Sequence, residues 1–345
     1  MATITDVAKA AGVSVATVSR VMNGSDLVAE TTARTVRETI ERLGYVPNLQ
    51  ARNLRKNESR NVLVLLPNIT NPYYSNVFSG INERAVELGY TPYLCSTDAD
   101  DFETILQQTI TQKRADGAIL MQIGYREEWL QKYSKTFPVV QCCEYTGFGN
   151  TPHVSVDNYQ AGYEATEYLT NLGYTKIGTI GADNQSVSTI QRLRGFRDAM
   201  KEAGLTPEEK YMTCTDRDYS YPASLEAAHK LLSREDRPQA LFCISDSIAL
   251  AAVVAAKELD LRVPEDLSIV GFDDVIYTQM IHPYLTTVVQ PCRELGIRAM
   301  DMVHEIISEG KCTQRNVTLP HGFVERESTV KASAETVFSG QGTEK

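Results

Sequence analysis

Residues 5 to 22 read Thr-Asp-Val-Ala-Lys-Ala-Ala-Gly-Val-Ser-Val-Ala-Thr-Val-Ser-Arg-Val-Met. Ala16, Thr17 and Arg20 are spaced to share one face of a helix, and Val18, Val21 and Met22 the other. The first face suits contact with a duplex: Ala16 permits close approach, the Thr17 hydroxyl reaches a phosphate or a base, and Arg20 can span guanine O6 and N7. A second group of reactive types follows apolar runs further along the chain. It comprises Asn71-Pro72-Tyr73-Tyr74, Glu144-Tyr145, Gln185 to Arg192, Asp218-Tyr219, Ser245-Asp246 and Gly271-Phe272-Asp273-Asp274. Aromatic faces, one arginine and several carboxylates suit a polyhydroxyl or heterocyclic ligand, whose flat face stacks and whose hydroxyls or ring nitrogens take charged hydrogen bonds.

The first group needs two short helices around a tight turn. Thr5 is placed to cap the first helix, with Asp6 in its first turn where the helix dipole favours a negative charge. Gly12 gives the turn its freedom, Val13 plugs the space between the helices, and Ser14 caps the second. An amphipathic stretch from about Thr32 to Leu43 supplies Val36, Ile40 and Leu43 to close a three-helix core, and Gly44 and Pro47 end it. Taken alone, the two-helix unit is also compatible with a plain helical hairpin bearing a surface arginine.

Residues 48 to 56 make only about two helical turns, too few to be stable alone. Arg52, Arg55 and Lys56 suit phosphates, while Leu54 is an apolar side chain without an evident core, open to a dimer contact. From residue 61 the pattern becomes strand alternating with helix. Strands are expected at 61–67, 93–96, 117–121 and 139–142, and after Gly162 at 176–181, 211–213, 240–244 and 268–271. Two such series predict two doubly wound parallel sheets, with sites beyond the carboxyl ends of the strands, where the second reactive group falls.

The net charge of −10 is unevenly spread. Residues 1 to 60 hold nine Lys/Arg and six Asp/Glu, which leaves 25 against 38 for the remainder, so only the head suits phosphate. No run approaches a membrane span and the start lacks an export signal, which predicts a cytoplasmic location and no membrane partner. Seven cysteines without CxxC spacing argue against a disulfide framework and for buried thiols, Cys142 and Cys143 included. The histidines are scattered, and no GxSxG, P-loop or GxGxxG motif is present. An enzyme, a metal site and a cofactor are therefore not expected. A solute-binding protein on the same core would need neither head nor hinge.

Asp6-Val7-Ala8 through Gly12-Val13-Ser14 to Thr17-Val18-Ser19-Arg20-Val21, then Gly44-Tyr45-x-Pro47-Asn48 and Ala51-Arg52-x-Leu54, closely resemble the LacI family of bacterial repressors. The resemblance covers about residues 2 to 330. It implies an all-α helix-turn-helix head (1–47), a hinge helix and linker (48–60), and a periplasmic-binding-protein-like α/β core of two doubly wound lobes (61–330). A short polar tail (331–345) is expected to be disordered. It also implies a homodimer on a double-stranded DNA operator, with Leu54 wedged into a central CpG step of the minor groove. The candidate DNA contacts are Thr5, Ser14, Val15, Ala16, Thr17, Arg20, Asn23, Arg52, Leu54 and Arg55. The family's positions for a small-molecule effector fall on Tyr73, Tyr74, Ser188, Arg192, Tyr219 and Asp273, and Asp246 is a further cleft candidate or a helix cap. The stretch 55–60, the strand ending at Pro67 and the Asn-Pro-Tyr-Tyr loop look most like cytidine-responsive members, although sugar-responsive members share that loop. Where purine-responsive members carry a second cleft arginine, this chain has Ser186. The resemblance thus implies a nucleoside or sugar effector.

Overall fold

A computed structural model describes residues 2–25, 27–46, 58–96, 99–121, 127–146 and 151–332. Contacts divide the chain into a unit ending at Ser59 and a larger one beginning at Arg60. The hinge residues Arg52, Leu54 and Arg55, and the tail beyond Ala332, lie outside the described residues. No helix among the described residues is long and apolar enough to cross a membrane.

In the first unit, α1 (Ile4–Ala11), α2 (Val15–Met22) and α3 (Glu30–Leu43) bury Val7, Ala8, Val18, Val21, Ala33 and Val36 against one another. The cap of α1 is Thr3, not Thr5. Thr3 and Asp6 form a reciprocal capping box, the Asp6 backbone donating to Thr3 Oγ1 at 3.3 Å and the Thr3 backbone to Asp6 Oδ2 at 2.8 Å. The hydrogen bonds from Thr3 hold the exposed Asp6 carboxyl below its ordinary range. Gly12, at φ 68°, turns the chain into α2, whose cap is Ser14. Leu43, expected in the core, is 37% exposed. Gly44 turns the backbone so that the Tyr45 N–H returns to the Ile40 carbonyl at 3.0 Å, and Tyr45 packs on the core instead.

In the second unit the first sheet has strand order β11-β5-β4-β3-β1-β2: β1 (Asn61–Leu66), β2 (Thr91–Ser96), β3 (Gly117–Leu120), β4 (Val139–Cys142), β5 (His153–Val156) and β11 (Asn316–Leu319). Every pairing in it is parallel. Alternation along β1 sends Val62, Val64 and Leu66 to one face and Leu63 and Leu65 to the other, into two separate clusters. Both faces are covered, by α4 (Pro72–Glu87), α5 (Ala99–Thr111), α6 (Glu127–Tyr133) and α11 (Cys292–Glu309), which explains the continuous apolar run.

The second sheet has order β12-β10-β9-β8-β6-β7: β6 (Ile177–Ala182), β7 (Met212–Thr215), β8 (Ala240–Cys243), β9 (Ser268–Asp273), β10 (Thr286–Val289) and β12 (Gly322–Val324). It is parallel except for β12, an antiparallel edge. Around it lie α7 (Asn158–Asn171), α8 (Val187–Glu202), α9 (Tyr221–Leu232) and α10 (Asp246–Glu258). The chain crosses between lobes from β5 to α7, from β10 to α11 and from β11 to β12. Strands β5, β10, β11 and β12 were not expected from the sequence; each is three or four residues long and is made a strand by its sheet partner.

One helix crossing fixes where a key side chain sits. A Cβ on Gly162 of α7 would lie 2.5 Å from the Arg192 carbonyl oxygen of α8, and one on Gly195 would lie 2.3 Å from the Tyr159 oxygen. Only glycine lets these backbones approach so closely. Gly80 and Gly296 make the same kind of contact between α4 and α11.

At the start of α10 the cap is Ser245, whose side chain accepts from the Ser247 N–H. Asp246, the next residue, is fully buried. Its Oδ2 accepts from the Val275 N–H at 2.9 Å and its Oδ1 lies 2.6 Å from Thr287 Oγ1. Burial, and then the nearby charge of Asp273, push its carboxyl up to about 8. Thr287 Oγ1 donates to Asp246 Oδ1, and lies 3.3 Å from the Val288 carbonyl.

Gly162→Ala should cost about 1–3 kcal/mol through overpacking; urea unfolding with an unchanged midpoint would contradict the close crossing. Because the folded-state carboxyl of Asp246 is raised above its unfolded value, its contribution to stability is complete below about pH 4 and is lost as pH rises toward 8. Asp246→Asn keeps an acceptor for the Val275 N–H and does not titrate. Across that window the wild type should lose about 1.4 kcal/mol per pH unit relative to the variant; parallel stability–pH curves would show that Asp246 is charged when buried.

Candidate functional site

The head presents a polar face on α2. Val15, Ala16 and Arg20 are exposed, Thr17 is half-buried beside them, and Val18 and Val21 are buried on the opposite side. Ser14 Oγ accepts from the Thr17 N–H at 3.1 Å and lies 2.9 Å from Thr17 Oγ1, which fixes both hydroxyls at the helix start. Asn23 is the exposed C-cap of α2, and Thr5 is exposed on α1. A helix with small residues at its start and an arginine one turn on has the dimensions and donors to enter a major groove.

Between the lobes of the second unit lies a narrow cleft. Asn71, Tyr73, Tyr74, Cys143 and Glu144 line it from the first lobe, and Ser188, Arg192, Tyr219, Ser245 and Asp273 from the second. Local rules put them there. Asn71 caps α4 by accepting from the Tyr73 N–H at 3.0 Å, and Pro72 occupies the first turn, which places both tyrosines at the helix start. Their rings meet edge to face, 5.2 Å apart. Ser186 caps α8 in the same way, which sets Ser188 in the first turn and Arg192 one turn later on the same face.

Arg192 is 6% exposed and Asp273 5%. The guanidinium donates from Nε to Asn158 Oδ1 at 2.9 Å and from Nη1 to the Ile244 carbonyl at 2.6 Å, and it lies 3.6 Å from the centre of the Phe272 ring. Its Nη1 is 3.9 Å from Asp273 Oδ1. Asp273 also accepts from Gln290 Nε2 at 2.7 Å, and Tyr73 donates to Gln290 Oε1 at 3.3 Å. Burial pushes the Asp273 carboxyl up, with Arg192 opposing it. Asp273 and Asp274 adopt φ 128° and 57°, backbone strain that collects where function needs an unusual orientation.

Glu144 reaches from the first lobe to Ser188, accepting from its N–H at 3.3 Å and from its hydroxyl. Burial raises its carboxyl, against the Ser188 hydroxyl and Arg192. From Ser188 a row of hydroxyls continues through Ser186 and Thr189 to Tyr219. Tyr219 is held at φ 58°, with its own hydroxyl 3.0 Å from Thr189 Oγ1. Burial pushes the phenols of Tyr73 and Tyr74 well above their ordinary value.

Six of the seven cleft candidates from the sequence therefore come together. Asp246 does not line the cavity: both its oxygens are engaged by Val275 and Thr287 behind the wall. Asn158 and Gln290, which sequence reasoning missed, hold the Arg192–Asp273 pair together with Phe272, which the sequence placed in the same loop as Asp273. Asn158 and Gln290 sit at two of the lobe crossings, a position that only the sheet order reveals.

Residues 3–48 match the bacterial regulatory proteins of the lacI family, and residues 166–329 match the periplasmic binding protein-like domain. The chain is 35% identical over 330 residues to catabolite control protein A of Priestia megaterium, covering 95% of this chain and 99% of that one. It is 35% identical over 304 residues to the HTH-type transcriptional repressor CytR of Escherichia coli, covering 87% and 88%. Among solved structures, the lac repressor dimer bound to operator and the anti-inducer ONPF superposes with a TM-score of 0.86 at 25% identity, over 95% of this chain and 99% of that one. With the head and the core each matched, and relatives aligned along nearly their whole length, the chain belongs to the LacI family of DNA-binding transcriptional regulators.

Proposed function

We propose that this regulator is a dimeric repressor of catabolic or transport genes. It binds a palindromic operator through Ser14, Val15, Ala16, Thr17, Arg20 and Asn23, with Thr5 alongside, and is switched by a nucleoside or sugar in the interlobe cleft. The division into head (1–47), hinge (48–60) and core (61–330) belongs to this reading. So do Arg52 and Arg55 as phosphate contacts and Leu54 as a minor-groove wedge. The observation that carries it is the cleft: five residues from each lobe line it, the buried Arg192–Asp273 pair and three tyrosines among them. Tyr73, Tyr74, Ser188, Arg192, Tyr219 and Asp273 would contact the effector.

A dimer is supported by the segment after β9, where Ile276, Tyr277, Met280 and Ile281 are all exposed, apolar surface that a second copy would cover. The similar lac repressor structure is itself a dimer on operator. Effector binding would change the angle between lobes and so the spacing of the paired hinges. Moving the population from ~1:99 to ~99:1 needs a preference of about 5.5 kcal/mol for one state.

Fluorescence anisotropy of the full chain on a palindromic duplex with a central CpG tests this. Arg20→Ala and Leu54→Ala should each weaken specific binding by about 1–3 kcal/mol and leave calorimetric binding of cytidine or ribose unchanged. Equal operator affinity in both variants would refute the assigned docking.

A further inference from the structure

Glu144 spans the cleft. It follows β4 in the first lobe, yet its carboxylate accepts from the backbone N–H and hydroxyl of Ser188, in the first turn of the sixteen-residue helix α8 of the second lobe. A helix start carries partial positive charge and unpaired N–H groups, the natural seat for a ligand phosphate or carboxylate. Here a carboxylate tethered to the chain occupies it. Nor does the remaining cation of the lining offer itself freely to an anion: Arg192 is engaged by Asn158, the Ile244 carbonyl, Phe272 and Asp273. Among the described residues that line the cleft, two carboxylates, Glu144 and Asp273, thus face one guanidinium.

We infer that Glu144 sets the charge specificity of the cleft, admitting an uncharged effector that carries hydroxyl or amine donors and rejecting its phosphate ester. The inference rests on the effector role proposed above. A hydroxyl or amine can donate to Glu144 in place of Ser188, exchanging one hydrogen bond for another. A phosphate must either displace a tethered carboxylate from the start of α8 or lie against it, and like charges in a partly desolvated cleft repel strongly.

The test is calorimetric titration of the full-length protein with cytidine and ribose, and with cytidine 5′-monophosphate and ribose 5-phosphate. The wild type should prefer a parent compound over its ester by about 100-fold or more. Glu144→Gln should narrow that ratio at least about tenfold by strengthening the ester, whereas Glu144→Asp should preserve it. A purely structural role would weaken parent and ester alike and leave the ratio unmoved, which would overturn the inference. An ester that binds the wild type as tightly as its parent would also overturn it, while leaving the effector cleft intact. Silence from all four compounds would contradict the nucleoside-or-sugar reading itself and take the inference with it.

Discussion

Burying one guanidinium is the constraint around which the core is arranged. Removing one partner from such a buried charge pair typically costs about 3–5 kcal/mol, because the survivor is left without water or a counter-charge. The chain meets this with a shell drawn from distant segments. Asn158 comes from the start of α7, the Ile244 carbonyl from the end of β8, Phe272 and Asp273 from the end of β9, and Gln290 from beyond β10. Gly162 belongs to the same design, since its missing Cβ lets α8 approach α7 at Arg192. All these groups lie at or beyond strand ends, where the doubly wound topology opens a crevice.

The same shell ties the cleft to the segments that connect the lobes. Asn158 begins the helix after the first crossing, and Gln290 lies on the second. The third crossing is anchored by His321, whose Nε2 lies 2.8 Å from Glu164 of α7. A ligand that draws on Arg192, Asp273 or Tyr73 therefore acts one hydrogen bond away from the connecting segments. Small shifts there are amplified because packed lobes have discrete arrangements and do not deform continuously. Glu144 and Ser188 add a direct bond from one lobe to the other, so cleft occupancy and lobe angle share the same atoms.

How far the sequence revealed this depended on the range of the interaction. The turn Gly12-Val13-Ser14 and the caps Ser14 and Asn71 act within a few residues and were legible or nearly so. The displaced cap is instructive: Thr3 and Thr5 are the same residue type, and only Thr3 has an acidic residue three positions on to complete a capping box. Leu43 fits the helical apolar period, but the turn at Gly44 brings Tyr45 to the core in its place. Six cleft residues lie in loops that follow strands, and the family resemblance singled them out within those loops. Asp246 follows one too and was misplaced, since burial behind the wall is set by Val275 and Thr287 from other strands' ends. The short strands β5, β10, β11 and β12 and the shell residues Asn158 and Gln290 depend on sheet order, which local pattern does not encode.

In the proposed function, cleft and operator are coupled. Coupling of binding free energies is reciprocal, so the most direct measurement is calorimetric titration of cytidine and ribose into the protein alone and into its operator complex. One of these compounds should bind the two forms with affinities differing by about 5- to 150-fold, matching the factor by which it changes operator affinity. Identical affinities for free and operator-bound protein would contradict it.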